Sequence, residues 1–266
     1  FVNRYCSGQR EASNLKELNF NLWQYCMFRR EKSLVLTDLP DKIRQVNTCE
    51  ITNRKEYMDA ERDLIMYLQK YKDADDDKIE KALRGEVMVR INILRQISAR
   101  GKVRDVIEFV KDFRENGKKI ILFCSLHEVV DQLKRYFPTA VSVTGRDSQD
   151  EKQRAVDAFQ NNPKADIIIC SIKAAGVGLT LTASSNVAFV EFPWTYADCC
   201  QCEDRAHRIG QKDSVTCYYF LGRRTIDEKV YRIIQEKKNI ANAVTGSTED
   251  IEENIVDMVA RIFDTD

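Results

Sequence analysis

With 266 residues, 42 Lys+Arg against 42 Asp+Glu and 43% hydrophobic residues, the chain has the composition of a packed globular protein rather than a disordered one. The zero net charge provides no bulk attraction for a polyanion, so any nucleic-acid reading must rest on local motifs. No apolar run approaches the roughly 20 residues needed to span a bilayer, which predicts no membrane association.

The length fits one large domain with an accessory region. Phe1 stands in mid-pattern rather than at an initiator Met, which predicts a fragment of a longer protein. Nine cysteines are scattered from Cys6 to Cys217, several inside apolar runs such as ILFC and IIIC. Without a signal peptide they read as small buried hydrophobes of an intracellular, reducing compartment.

From Asn14 to about Arg100 the pattern is mostly helical. NLKELNFNLWQYCMFRR puts Leu15, Leu18, Leu22, Tyr25, Cys26 and Met27 mostly at helical spacing, and EYMDAERDLIMYLQKY repeats the pattern. Between them, LTDLPDKIRQVNTCEIT reads as a proline-marked turn entering a strand. The acidic stretch Asp73 to Asp77 reads as a solvated linker or helix end without function. Val87 to Ile97 predict a further amphipathic helix, ended by Gly101.

Beyond Gly101, helices alternate with short, continuously apolar runs. Lys119–Cys124, Ala140–Gly145, Asp166–Cys170, Asn186–Phe192 and Val215–Leu221 predict strands buried on both faces. Helices are predicted between them at Val103–Glu115, Leu126–Tyr136, Asp150–Gln160 and Tyr196–Arg208, with Ile226–Val244 after the last. The alternation predicts an α/β fold, a parallel sheet sandwiched by helices behind a mostly helical N-terminal extension. In such sheets ligands collect at the carboxyl ends of the strands, here the loops after Cys124, Val143, Cys170 and Phe192.

Those loops carry the most specific run in the chain. QCEDRAHRIGQ (Gln201–Gln211) follows the pattern Q-x-x-x-R-x-x-R-x-G-Q, which resembles the sixth helicase motif of SWI/SNF-type ATPases in helicase superfamily two. SIKAAGVGLTLTAS (Ser171–Ser184) resembles the fifth motif, and FPWTYAD with Trp194 resembles the segment between the two. IILFCSLHEVVDQL (Ile120–Leu133) and VTGRDSQDEKQRAVDAFQ (Val143–Gln160) are similar to the fourth motif and the segment following it. RREKSLVLTDLPDKIRQ (Arg29–Gln45) is similar to the family's arginine-rich joint between lobes. The compact spacers look closest to annealing-helicase-like and bacterial or phage members.

The resemblance implies a RecA-like C-terminal lobe over 101–246, preceded by an inter-lobe region over 1–100 and followed by a helical tail over 247–266. No G-x-x-x-x-G-K-[ST] phosphate loop and no DExH box occurs in the sequence. ATP with Mg2+ is therefore expected to be held mainly by a separate N-terminal lobe, and the chain alone is expected not to hydrolyse it. Arg205 and Arg208 lie three positions apart, so on a helix their guanidinium groups would project from one face toward an anion. The resemblance implies that they are arginine fingers, with Gln201, Gly176, Gly178 and Gln211 at the nucleotide. The bland alternative pairs the two arginines with Glu203, Asp204 or Asp213 on a solvated helix; Gln201, Gly210 and Gln211 in the same run favour the finger.

Ser125, Thr144, Gly145, Ser171, Lys173 and Trp194 are the implied contacts to the backbone of double-stranded DNA. Ser125 and Thr144 combine a hydroxyl with a loop amide, a positioning rather than a base-reading kind of contact, and each alone reads equally as a helix N-cap. Lys173 stands where relatives often carry arginine or threonine, and Trp194 is read as bracing the DNA-binding face. The Cys199, Cys200, Cys202 and His207 cluster lacks a second Cys pair at metal spacing and is not read as a zinc site. His127 is read as a helix-surface residue.

Together these imply one motor lobe of an ATP-dependent, duplex-DNA translocase, monomeric, and cytoplasmic if bacterial or phage or nuclear if eukaryotic. A non-hydrolysing nucleic-acid-binding or regulatory module is the alternative. A Rossmann-like enzyme would need an early glycine fingerprint that is absent.

Overall fold

The computed structural model describes residues 2–5, 14–26, 35–72, 77–175, 178–244 and 263. Two short N-terminal helices, α1 (Val2–Tyr5) and α2 (Leu15–Tyr25), precede strand β1 (Lys42–Cys49) and the helices α3 (Arg54–Lys72) and α4 (Asp77–Glu115). Then follow β2 (Ile120–Cys124), α5 (His127–Tyr136), β3 (Val141–Val143), α6 (Gln149–Asn161), β4 (Ile167–Ser171) and α7 (Ile172–Ala175). The remainder is β5 (Asn186–Phe189), α8 (Tyr196–Glu203), β6 (Val215–Gly222) and α9 (Ile226–Val244).

The six strands form one sheet in the order β1-β6-β5-β2-β4-β3, and every pairing is parallel. The predicted α/β sandwich is the observed fold. β2 and β4 are buried at every position, and successive residues serve opposite faces. Ile121, Phe123, Ile168 and Cys170 enter one core with residues of α3, α6, α8 and α9. Ile120, Leu122, Cys124, Ile167 and Ile169 enter the other with Val129, Val130 and Leu133 of α5.

Three expectations need correction. Gly101 does not end a helix: α4 runs unbroken for 39 residues from Asp77 to Glu115, joining the two helices expected around it. Val87, Ile91 and Leu94 from its N-terminal half join the first core, against Tyr57, Leu64 and Leu68 of α3. Val103, Val106 and Val110 from its C-terminal half join the second. Glycine is required at 101 by close approach, since a Cβ there would lie 2.2 Å from Asn53 Oδ1 and 2.7 Å from Ile51 Cβ. The border expected between residues 100 and 101 thus runs through the middle of a helix.

Second, the strand expected after Pro40 is not an appendage. Its pairing runs from Lys42 opposite Val215 to Cys49 opposite Gly222, so the N-terminal region contributes an edge strand to the same sheet. Ser98, Lys102 and Asp227 reinforce that end from inside. Lys102 Nζ donates to Asp227 Oδ2 (2.5 Å) and Phe220 O (2.9 Å), and Ser98 Oγ donates to the same carboxylate oxygen (2.8 Å). This buried, hydrogen-bonded pair ties α4 to β6 and α9.

Third, the helix expected over Tyr196–Arg208 stops at Glu203. The acidic stretch at 73–76, residues 29–34 of the joint, and the expected tail except Phe263 fall outside the described residues.

Candidate functional site

The chemistry-bearing loops lie at the carboxyl ends of the strands, where a parallel sheet collects ligands. A cleft of about 280 Å³ is lined by Ser125, Gly145, Ser171, Lys173, Trp194 and Gln201, together with Arg95 and His127. Five of the six residues assigned by resemblance to DNA therefore share one wall system, contributed by the ends of β2, β3, β4 and β5. Ser125 is exposed and is not the N-cap of α5. That position is Leu126, which has no side-chain cap, and its N–H donates instead to Glu191 Oε1 (3.0 Å). The Ser125 hydroxyl is not used as a helix cap.

The sixth residue, Thr144, is placed differently. Its side chain is 4% exposed, and its hydroxyl and N–H both donate to Asp147 Oδ2, at 2.9 and 2.6 Å. The side chain shapes the loop that presents Gly145. The N-cap of α6 is Ser148, which forms a reciprocal capping box with Glu151. Ser171 Oγ accepts from Ala174 N (3.2 Å) at the start of α7, so it is a cap as well as a cleft residue. His127 lines the cleft, which its sequence position alone did not indicate.

A second cleft, of about 560 Å³, is lined by Leu36, Thr180, Gln201, Asp204, Arg205, Arg208 and Ile209. Gln201 belongs to both clefts and stands on the ridge between them. Arg205 and Arg208 converge here, but from consecutive turns after α8 rather than from one helical face. The turns follow from competing hydrogen bonds. Arg205 N donates to Cys202 O (3.1 Å) and Arg208 N to Ala206 O (3.1 Å), while Arg205 O accepts from Leu181 N (2.9 Å).

That last bond begins a seam between the fifth-motif and sixth-motif segments. Arg208 Nη1 donates to Leu179 O (3.2 Å) and Thr180 Oγ1 (3.1 Å). Gln211 is buried, donates to Ser184 O (3.0 Å) and accepts from Lys212 N (2.9 Å) and Asp213 N (3.1 Å). Its amide holds the loop together. Gly178 (φ 44°) and Gly210 (φ 100°) adopt the left-handed backbone that favours glycine. Gly176 lies outside the described residues.

No motif or spacing pointed to the clamp that holds this segment from behind. Glu203 is fully buried between two cations of β1: Arg44 Nε and Nη2 donate to its two oxygens at 2.8 and 2.7 Å, and Lys42 Nζ lies at 2.9 Å. The Tyr219 hydroxyl also donates to it. Burial alone would raise the Glu203 carboxyl pKa; the Arg44 hydrogen bonds and then the Lys42 charge outweigh it and hold the carboxyl below its ordinary range. Lys42 also meets Asp204 Oδ1 (3.2 Å), and His207 Nε2 lies 2.7 Å from Pro40 O. The joint is thus fastened to the sixth motif at Glu203, Asp204 and His207.

With Asp204 answered by Lys42, the second cleft offers two guanidinium groups, an amide and a hydroxyl. This donor set fits an anion such as a polyphosphate. The described residues contain no group of three or more His, Cys, Asp or Glu arranged to hold a metal ion, and no described helix is long and apolar enough to cross a membrane.

The family described as "Helicase conserved C-terminal domain" matches residues 101–210. The chain is 30% identical over 249 residues to the Xenopus tropicalis SWI/SNF-related matrix-associated actin-dependent regulator of chromatin subfamily A-like protein 1, covering 88% of this chain and 25% of that protein. It is likewise 30% identical over 270 residues to the human DNA annealing helicase and endonuclease ZRANB3, covering 93% of this chain and 24% of that protein. The chain therefore spans about a quarter of the length of these relatives. The Sulfolobus solfataricus SWI2/SNF2 ATPase core, solved in complex with dsDNA, shares the fold with a TM-score of 0.62 at 21% identity, over 100% of this chain and 57% of that one. The chain belongs to the SWI/SNF-type ATPases of helicase superfamily two, as a helicase C-terminal, RecA-like lobe.

Proposed function

We propose that this lobe is the arginine-finger half of an ATP-dependent duplex-DNA translocase, completed by an N-terminal lobe that holds the nucleotide. The observation that carries the reading is the pair of adjoining clefts sharing Gln201. One presents Arg205 and Arg208; the other presents Ser125, Gly145, Ser171 and Lys173. When bound on the other lobe, ATP with Mg2+ supplies the transferable phosphoryl group and its charge.

In this reading Arg205 and Arg208 add positive charge across the lobe interface, where it stabilises charge developing on equatorial phosphate oxygens. The bonds from Arg208 to Leu179 O and Thr180 Oγ1 hold that side chain against the fifth-motif loop. Through the same seam, a change at the arginines is felt by the loop that follows Ser171 and Lys173. Hydroxyl, amide and ammonium donors suit backbone phosphates and carry no base code, consistent with stepping along DNA without reading it. The similar archaeal core solved with dsDNA supports the choice of duplex, and the chromatin and annealing relatives support a nuclear rather than a cytoplasmic setting.

The test is duplex-stimulated ATP hydrolysis by the parent protein carrying both lobes, wild type against Arg205→Ala and Arg208→Ala. Turnover is expected to fall by about 10³ or more with nucleotide binding retained. Unchanged turnover would sink the finger assignment in favour of a non-hydrolysing DNA-binding module.

A further inference from the structure

Resting on the reading that the first cleft receives the DNA backbone, we propose that Arg95, an α4 residue outside the matched helicase segment, is a backbone-phosphate contact held in place by Trp194. Three other arginines of α4 are answered by carboxylates. Arg90 meets Asp63 at 2.9 Å and Glu86 at 2.7 Å, Arg100 meets Glu56 at 2.8 Å, and Arg114 meets Asp166 at 2.6 Å. Arg95 differs from these three. Its guanidinium lies in the cleft wall, donates to the Phe192 carbonyl and has no ion pair among the described residues.

Of the acidic groups around it, Asp227 is engaged by Lys102 and Ser98 and Glu191 by Leu126 N, while Asp198 is the one carboxylate residue of the cleft lining. Burial lowers the Arg95 pKa, yet an arginine stays charged at neutral pH. A guanidinium carries five N–H donors, and the carbonyl engages only part of that set. A half-buried cation without a counter-charge is costly, and an incoming phosphate removes that cost.

Trp194 fixes the direction. The Arg95 Cζ lies 3.8 Å from the centroid of the indole ring, a close cation–π contact. That face of the ring is covered and offers no platform for a base. The neighbours Ser125, Gly145 and Lys173 complete a donor wall suited to a phosphodiester, so the ligand class is the sugar–phosphate backbone, not the bases.

The experiment is the salt dependence of short-duplex binding by the 266-residue chain. Each backbone phosphate contact contributes about 0.9 to the slope of log K against log salt. Arg95→Gln, which keeps a donor for the Phe192 carbonyl, is expected to lower the slope by about that amount, and Arg95→Lys is expected to restore it. Trp194→Ala is expected to lower the slope in the wild-type background, Trp194→Phe to keep it, and neither to change it further once Arg95 is Gln. Lys173→Met separates the two levels of the argument. If it lowers the slope and Arg95→Gln does not, the Arg95 assignment is overturned and the DNA cleft stands. If neither alters it, the cleft reading falls as well. Should Arg95→Gln fail to fold, Arg95→Met, which keeps the stem packing, replaces it with the same expected and overturning results.

Discussion

Replacing Glu203 by glutamine removes one charge from a fully buried cluster and leaves its volume almost unchanged. Glutamine keeps a single acceptor oxygen, so Arg44 retains at most one of its two contacts of 2.8 and 2.7 Å, now to a neutral group, and Lys42 keeps only Asp204 at 3.2 Å as a counter-charge. Removing one partner of a buried pair costs about 3–5 kcal/mol, because the other charge stays behind without compensation. At about 2–4 °C per kcal/mol for a protein of this size, the melting temperature at pH 7 should fall by roughly 6–20 °C. Asp131→Asn sets the scale: its ion pair with Arg146 is 3.1 Å long but about half exposed on both sides, and such surface pairs contribute no more than about 1 kcal/mol.

The sign of the pH dependence follows from the lowered Glu203 pKa. The stabilisation is fully present above the unfolded carboxylate value of about 4.3 and is lost as pH falls through the folded value. Thermal melts followed by circular dichroism should therefore show a wild-type advantage over Glu203→Gln that is constant near neutrality and narrows below about pH 4. A pH 7 difference no larger than that of Asp131→Asn would refute the clamp, as would a gap that widens on acidification.

Two glycines of α4 should respond in opposite directions to alanine. Gly85 has nothing within 4 Å of a built Cβ, so Gly85→Ala should stabilise by about 1 kcal/mol through helix propensity. Gly101→Ala gains the same propensity but meets Asn53 and Ile51 at 2.2 and 2.7 Å, and overpacking of that kind costs about 1–3 kcal/mol; urea midpoints read both. Ser148→Ala removes the capping box of α6 and should cost about 1 kcal/mol, seen as a lower urea midpoint with an unchanged slope.

The parallel core was legible because β2, β4 and β6 are apolar runs too continuous to be half-exposed strands, and the loops after them drew attention to the right end of the sheet. β1 was legible as a strand but not as part of that sheet: Lys42, Arg44 and Asn47 interrupt any apolar run, and their partial burial depends on Glu203 and β6, far away in sequence. Gly101 was misread because local propensity ends a helix at glycine, whereas here tertiary packing demands the missing side chain. The helix after Thr195 was overextended because Arg205 O bonds Leu181 N, a partner in another motif. Arg95 carried no motif at all. Its place beside Trp194 comes from the path of α4 from one core to the other, which no window of sequence encodes.

The pairing of β1 with β6 sets an order of events during synthesis. Arg44 and Tyr219, which meet in the finished sheet, are 175 positions apart. At roughly 5–20 residues per second, β1 waits about 10–35 s for its neighbour to leave the ribosome. A naked strand edge through that interval invites pairing with another nascent chain. β1 carries Lys42 and Arg44 among polar residues, and charges of this kind act as gatekeepers against such encounters. The cations that later grip Glu203 thus also protect the strand while Glu203 has yet to be made.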